Sequence, residues 1–143
     1  MLDKSGRRLP SPHGEAIGLE LVEQHQGYAT VTVPYNVNLV GDPETGVIHG
    51  GVLTTMLDNA SGMSVRAIDE FDDNSAIATL DLRIDYLHSA KPNMPIFAEA
   101  ECYKRTKNIA FVRGIAYQSD KNDPVATSVA TFMLGTSNQP RSA

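Results

Sequence analysis

Two adjacent glycines and one carboxylate mark the part of this chain best suited to chemistry. Residues 50 to 65 contain a single acid, Asp58, and no base. A solvated helix face normally carries several long charged side chains, so a lone acid among small residues favours a functional carboxylate. A solvated surface acid is the simpler alternative, because an isolated carboxylate within a helix is usually that.

Gly50 and Gly51 stand where a helical pattern begins. The first N–H groups of a helix have no partner within the helix, and the helix dipole adds partial positive charge there. Such a terminus suits an anion or the oxygen of a polarised carbonyl group. We therefore predict an oxyanion site at these two glycines.

One carbonyl group cannot reach both features within a single chain. Eight helical residues separate Gly50 from Asp58, which corresponds to about 12 Å at 1.5 Å per residue. A two-fold dimer with this helix antiparallel to its copy would place the helix start of one subunit beside the middle of the other. The spacing predicts a homodimer with two composite sites, and a homotetramer of two such dimers is the alternative assembly.

The helix that positions these groups is defined by its apolar spacing. At about 100° per residue, one face collects Val52, Met56, Ala60, Met63 and Ala67, and this face is expected to enter the core. The opposite face, around Asp58, is expected to be small and mostly polar: Gly51, Thr54, Thr55, Ser61, Gly62 and Val65. The helix should end near Asp69 to Phe71, because residues 72–75 form a turn cluster.

Strand patterns surround this helix. Alternating residues predict a hairpin from 17–24 and 28–34, turning at Gln26-Gly27, and a loop over 35–48 that leads into the helix. Four further strands are predicted at about 76–86, 95–105, 109–119 and 124–134. With 143 residues, this is one α+β domain over 14–135, with an antiparallel sheet wrapped around one helix. Residues 1–13 are expected to be a flexible arm without chemistry, and 136–143 a disordered tail.

The run His49-Gly50-Gly51 followed by Leu57-Asp58 resembles hotdog-fold acyl-CoA thioesterases, with the phenylacetate-pathway branch as the nearest. The resemblance extends from about Gly14 to Gly135. It implies a six-stranded sheet in the order 1-2-4-5-6-3 around one central helix. It also implies that Asp58 is the catalytic carboxylate and that the Gly50 N–H polarises the thioester carbonyl.

Two further positions follow from this resemblance. The family places a Ser or Thr near the attacking water at Thr79, but strict alternation would put Thr79 on the face of Asp81 and Arg83, so a β-bulge or an interfacial position is required. Many members also have an Asn where this chain has Pro43. Three loop residues are candidates to replace it, although ordinary loop polarity is the favoured interpretation: Asn36, Asn38 and Asp42.

Histidine and basic residues complete the candidate site. His49 is interpreted as a structural hydrogen-bonding residue beside the catalytic groups, since no second histidine or acid stands at metal-ligand spacing and no metal is expected. Gly51 is predicted to contact the substrate. The basic cluster 104–107 and one nearby arginine are candidates for the coenzyme A phosphates, with a solvated turn as the alternative: Arg105, Lys107 and Arg113.

Composition excludes several classes. The formal charge of −5 opposes nucleic acid as a general partner. One cysteine, Cys102, permits no internal disulfide and fits a reducing compartment. No leader or 18-residue apolar stretch is evident, which predicts a soluble, cytoplasmic protein without membrane association. The Gly-x-Ser-x-Gly, Walker and dinucleotide motifs are absent, and no cofactor is expected.

The sequence predicts hydrolysis of an acyl-CoA thioester with a small, medium or aryl acyl group. Asp58 would act as general base or as nucleophile, and the residues do not separate those roles. A hotdog enoyl-CoA hydratase or dehydratase is one alternative, because His49 and Asp58 could act as an acid–base pair across a dimer. A non-catalytic acyl-CoA-binding module is the other.

Overall fold

The computed structural model describes residues 10–68, 71 and 75–136. Residues 1–9 of the predicted arm 1–13 lie outside this range, and so does the predicted tail beyond Thr136. The elements of the described chain run in this order: α1 Pro12–Ala16, β1 Glu20–His25, β2 Tyr28–Val33, a 3-10 turn Val37–Leu39, β3 Val40–Asp42, β4 Val47–Ile48, α2 Gly50–Arg66, β5 Ala76–Tyr86, β6 Ile96–Arg105, β7 Ile109–Tyr117 and β8 Ala126–Thr136.

One six-stranded antiparallel sheet carries the fold, in the order β1-β2-β6-β7-β8-β5. When the short β3–β4 ladder is left out of the count, this is the expected order 1-2-4-5-6-3. Helix α2 packs against the sheet, and its largest contacts are with β6, β2 and β7. The hotdog fold that the resemblance implied is therefore confirmed.

The buried face of α2 is wider than its sequence pattern predicted. Val52, Met56 and Ala60 are buried as expected. Ser61 and Val65 were placed on the polar face with Asp58, and this was wrong, because both are 0% exposed. The sheet curves around the helix and covers more than the single stripe that apolar spacing marks. Only a narrow strip around Asp58 is left uncovered.

Helix α2 also ends earlier than predicted, at Arg66 rather than near residues 69–71. The N–H of Ala67 donates to the carbonyl oxygens of both Met63 and Ser64. The carbonyl of Ala67 accepts a 2.9 Å hydrogen bond from the N–H of Gly27 in the β1–β2 turn. The turn thus takes an acceptor that a longer helix would have used for its own next turn.

The strands agree with the predicted runs within a few residues, apart from the start of β1. The N–H of Ile17 closes helix α1, and Gly18 has a φ of 78°, so the chain reverses before it becomes extended. The predicted turn at Gln26 and Gly27 is present. Both residues have positive φ, 42° and 78°, as a two-residue turn matching the strand twist requires.

The loop before α2 is more ordered than expected. It contains the 3-10 turn and the short β3–β4 ladder, and the His49 N–H donates to the Leu39 carbonyl at 2.8 Å. The Tyr35 hydroxyl donates to the Gly46 carbonyl at 2.8 Å. These bonds tie the loop to itself and fix the direction in which α2 begins.

Two valines on neighbouring strands test where the core lies. Val31 on β2 is 0% exposed, whereas Val22 on β1 is 55% exposed. Val31→Ala should lower the free energy of unfolding by about 2 kcal/mol, because two buried methyl groups are lost and a cavity remains. Val22→Ala should change it by less than about 0.5 kcal/mol. Urea unfolding measures both, and equal losses would contradict the packing described.

Candidate active site around Asp58

His49 caps the start of α2. Its Nδ1 accepts a 2.8 Å hydrogen bond from the Gly51 N–H. The ring therefore acts as an acceptor at Nδ1, and a neutral ring carries its proton on Nε2. A Cβ on Gly51 would lie 2.9 Å from His49 Nδ1, so a glycine is needed for this close approach. This geometry agrees with the structural role expected of His49.

The cap also separates the two glycines that the sequence treated alike. The Gly51 N–H is used by His49, whereas the Gly50 N–H has no acceptor anywhere in the described chain. It lies at the positive end of the helix dipole. Gly50 therefore has an N–H available to an outside acceptor, whereas the N–H of Gly51 is already used by the His49 cap.

Tyr86 covers this helix terminus, which the sequence reasoning did not anticipate. Its hydroxyl oxygen lies 2.6 Å from Thr54 Oγ1 and 3.3 Å from the Gly50 carbonyl oxygen. Its ring packs on Gly50, where an added Cβ would lie 3.5 Å from Cε1. The sequence did contain a signal for this contact. Leu82, Ile84 and Tyr86 occupy every second position of β5, which places them on the face of the strand toward the helix.

Asp58 is half-buried and is held by Thr79. The Thr79 hydroxyl donates a 3.1 Å hydrogen bond to Asp58 Oδ1. The β5–β8 register shifts between Thr79 and Asp81, which is the bulge required to turn Thr79 toward the helix. The Oδ2 atom of Asp58 accepts no hydrogen bond from the described residues. A carboxylate oxygen is thus left free toward the adjoining cavities.

Two cavities meet at Asp58 and Thr79. The first, of about 400 Å³, extends toward the C-terminal half of α2. Besides Asp58 and Thr79, apolar and polar residues both line it: Gly62, Met63, Ile77 and Phe132, with Ser11, Asn59 and Arg66. The second, of about 460 Å³, extends toward the N-terminal half and is lined by hydrogen-bonding residues together with one leucine: Ser11, His13, Thr54, Thr55, Asn59 and Leu82. Ser11 and His13 belong to the segment that was expected to carry no chemistry, and both line this cavity.

The expected phosphate-binding residues do not lie beside Asp58 in the same chain. Arg105 and Lys107 lie at the β6–β7 hairpin, near the C-terminal end of α2. Cys102, close to this hairpin, donates its N–H to the Gly27 carbonyl, and the Gly27 N–H donates to the carbonyl of Ala67 directly after α2. Arg113 lies on the outer face of the sheet, with its guanidinium 4.0 Å from the centre of the Tyr103 ring. None of the three lines the cavities at Asp58.

The three loop residues considered in place of Pro43 have separate surroundings. Asn36 Oδ1 accepts from the Asn38 N–H, and Asp42 accepts from the Glu44 N–H and the Thr45 hydroxyl. These bonds agree with ordinary loop polarity. The side chain of Asn38 differs, because it lines a third cavity, of about 400 Å³, beside His49 and Gly51.

Other reactive groups are sparse in the described chain. No cluster of three His, Cys, Asp or Glu side chains there could hold a metal ion. Burial raises the pKa of the Cys102 thiol, which disfavours the nucleophilic thiolate. No helix of the described residues has the length and apolar character to cross a membrane. Asp58 with Thr79 is therefore the arrangement best suited to chemistry.

Known proteins resemble this chain in sequence and in architecture. A model of the thioesterase superfamily matches residues 45–125. The medium/long-chain acyl-CoA thioesterase YigI of Salmonella typhimurium is 27% identical over 135 residues, covering 87% of this chain and 86% of that protein. A crystal structure of a Pseudomonas aeruginosa protein is 40% identical, with a TM-score of 0.75, covering 85% of this chain and 88% of that one.

The fold likeness includes the phenylacetic acid degradation protein PaaI of Thermus thermophilus. That structure is 22% identical, with a TM-score of 0.73, and the match covers 86% of this chain and 98% of that one. At this identity the likeness concerns the fold alone. It agrees with the fold that the sequence resemblance implied.

The His49 cap generates a stability prediction. His49→Ala should lower the free energy of unfolding by about 1 kcal/mol, because the Gly51 N–H loses its acceptor. His49→Asn should stay close to the wild type, since asparagine is a strong capping residue. The midpoints of urea unfolding measure the difference. Equal destabilisation by the two variants would mean that His49 does not act through its capping bond.

Proposed function

This chain belongs to the thioesterase superfamily, and we propose that it hydrolyses the coenzyme A thioester of a small or medium-length acyl group to the free acid and coenzyme A. The observation that carries the proposal is the Thr79–Asp58 hydrogen bond at the junction of two cavities. The relatives named as medium/long-chain acyl-CoA thioesterases support an acyl-CoA substrate.

The hydrolytic step needs one base and one oxyanion donor. A water molecule between Asp58 Oδ2 and Thr79 Oγ1 can donate one proton to each oxygen, because the Thr79 hydroxyl already donates to Oδ1. Asp58 takes the proton as the water oxygen bonds to the thioester carbon. The tetrahedral intermediate then collapses and the carbon–sulfur bond breaks. The leaving sulfur takes that proton from Asp58 and becomes a thiol.

Asp58 can also react as a nucleophile. Its free Oδ2 would attack the thioester carbon and expel the thiolate, leaving an anhydride that water hydrolyses. Both routes use the same two residues and the same oxyanion donor. Performing one turnover in H₂¹⁸O separates them, because only the nucleophilic route can place ¹⁸O in the Asp58 side chain.

The Gly50 N–H that would hold the oxyanion comes from a second subunit in this proposal. Gly50 and Asp58 are about 12 Å apart along α2. Strand β5 is one of the two edges of the sheet, and exposed apolar side chains lie on it or directly after it: Leu80, Tyr86 and Leu87. Such an edge favours pairing with another strand. Antiparallel pairing of two β5 strands would bring the two α2 helices together in opposite directions.

This arrangement also gives the basic hairpin a role. Arg105 and Lys107 lie at the C-terminal end of α2 in their own chain. In an antiparallel dimer, the partner's hairpin would face the same end as this chain's Gly50. We propose that it attracts the coenzyme A phosphates there, since an acidic protein needs a local basic group for such a ligand. Arg113 is not assigned to the coenzyme A phosphates, because it lies on the outer face of the sheet.

The acyl group is assigned to the cavity near the C-terminal half of α2. Its apolar wall suits a hydrocarbon chain, and its volume of about 400 Å³ is that of a small-molecule pocket. Met63, Ile77 and Phe132 would contact the chain. A screen of acyl-CoA esters of increasing length, with one aryl ester, measures the preference through release of free thiol.

The hydratase alternative is less well supported by the same geometry. An acid–base pair would need His49 to exchange protons with substrate, and because its Nδ1 is used as the helix cap, only Nε2 could do so. A binding module without catalysis stays distinguishable by experiment. Incubation with saturated and unsaturated acyl-CoA esters reports thiol release and hydration separately, and a binding module would give neither.

Replacing the carboxylate tests the proposed base. Asp58→Asn should lower kcat by about 10² to 10⁴, because the amide cannot accept a proton from water or attack the thioester. Asp85→Asn is the matched control, since Asp85 is an exposed acid paired with Arg83 on the other face of β5. It should retain wild-type turnover. Full activity of Asp58→Asn would remove this residue from the reaction.

Variants of Gly50 and Asp58, combined in one dimer, test whether two subunits share each active site. Gly50→Pro should lower kcat by about 10² to 10³ through loss of one N–H, and a proline is compatible with the first helical position. Gly50→Ala keeps the N–H and is the control. Refolded heterodimers of Gly50→Pro and Asp58→Asn should recover about half of wild-type activity, because one of their two sites carries neither change.

The homodimers of each variant give the inactive baseline for this experiment. Native mass spectrometry establishes how much heterodimer has formed. Heterodimers without recovered activity would show that Gly50 and Asp58 do not meet across two chains. Activity in monomeric protein would contradict the shared site as well.

A further inference from the structure

The N-terminal segment lies against the Asp58 side of α2. Helix α1 is capped by Ser11, whose Oγ accepts from the Gly14 N–H at 3.1 Å. Gly14 is buried, and its carbonyl accepts from the Leu19 N–H at 2.9 Å. Leu19 is only 2% exposed. The segment is therefore anchored to the core directly beside the uncovered strip of α2.

His13 is the residue of α1 that reaches α2. Its Nε2 lies 3.4 Å from Thr55 Oγ1. The Thr55 hydroxyl donates its only proton to the Gly51 carbonyl at 3.2 Å. A neutral His13 ring with its proton on Nε2 can donate to Thr55, and its Nδ1 is then a hydrogen-bond acceptor.

His13 and Thr55 form the wall that two cavities share. One cavity contains Asp58 and Thr79. The other contains His49 and Gly51 at the start of the helix. A ligand that reacts at Asp58 and extends toward the N-terminal end of α2 must therefore pass His13.

Hydrogen-bonding and apolar side chains both line this passage. Among its lining residues, His13 Nδ1 and the side-chain amide of Asn38 make no hydrogen bond within the described chain, so a hydrocarbon chain would leave both without a partner, which is unfavourable. The apolar part of the lining is formed by these residues: Ile17, Leu39, Val40, Val52 and Leu82. The pantetheine arm of coenzyme A has two secondary amides, each with one donor and one acceptor. Its sulfur is bonded to the reacting carbonyl, so the arm must occupy a cavity adjoining Asp58.

We propose that His13 is a substrate-binding residue that hydrogen-bonds an amide of the pantetheine arm. The inference rests on the proposed thioesterase function and adds the direction of the substrate along α2. The acyl group points toward Met63 and Phe132, and the pantetheine arm runs past His13 toward the start of the helix. His13 belongs to the same chain as the Asp58 that it serves.

Thioesters with and without amides test this assignment. His13→Leu removes the ring nitrogens, so KM for an acyl-CoA should rise about two- to tenfold, the range for one hydrogen bond, with kcat within about twofold of the wild type. His13→Gln keeps a donor and an acceptor and should recover part of the loss. With the S-ethyl thioester of the same acid, which has no amide, wild type and His13→Leu should have equal kcat/KM.

His25→Leu is the matched control. His25 ends β1 at the other end of α2, is paired with Glu23, and lines none of the cavities at Asp58. It should leave both substrates unaffected. An unchanged KM for acyl-CoA in His13→Leu would overturn the proposal. A loss that is equally large with the S-ethyl thioester would also overturn it, because His13 would then act through the fold or the reaction step.

Calorimetric titration with S-ethyl coenzyme A, a thioether that cannot be hydrolysed, separates this inference from the proposed function. Weaker binding by His13→Leu than by wild type supports the contact whether or not the protein turns over acyl-CoA. Equal binding by the two proteins overturns it. Wild-type protein that neither binds this thioether nor hydrolyses acyl-CoA would overturn both proposals.

Discussion

The packing of α2 against the sheet is the constraint on which the rest of the structure depends. Met56, Leu57 and Ala60 are completely buried. The sheet approaches closely because its facing residues are small. A Cβ on Gly114 would lie 2.7 Å from Ser128 Oγ and 3.4 Å from Leu57 Cδ2, so neither β7 nor α2 has room for a larger residue there.

This close packing determines where chemistry can occur. Once the sheet has covered most of the helix, only the strip with Asp58 stays accessible, and its small residues leave space for cavities instead of long side chains. The bulge in β5 then turns Thr79 toward the carboxylate. The same helix leaves the Gly50 N–H free at its start. Because a rigid helix separates the two groups, each chain contributes half of a site in the proposed dimer.

Local patterns predicted the parts of the structure that depend on neighbouring residues. Apolar spacing located α2 and alternation located the six main strands. The conflict between alternation and the expected position of Thr79 required a bulge or an interfacial position, and the structure has the bulge. The residues whose positions were predicted wrongly or missed are placed by contacts between parts of the chain that are distant in sequence. Ser61 and Val65 are buried by a curved sheet that helix periodicity does not encode. Similarly, the positions of His13 and Tyr86 follow from packing of α1 and β5 on α2, which separate local patterns cannot show.

The sparseness of the site agrees with thioester chemistry. Sulfur donates little electron density to the carbonyl carbon and leaves readily as a thiolate, so a thioester needs less activation than an amide. One carboxylate and one N–H donor can then suffice without a nucleophile–histidine–acid triad. In this chain His49 is committed to the cap, where it holds Gly51 and leaves Gly50 free. In the proposed mechanism the histidine therefore acts through the cap, because it occupies the Gly51 N–H and leaves that of Gly50 available.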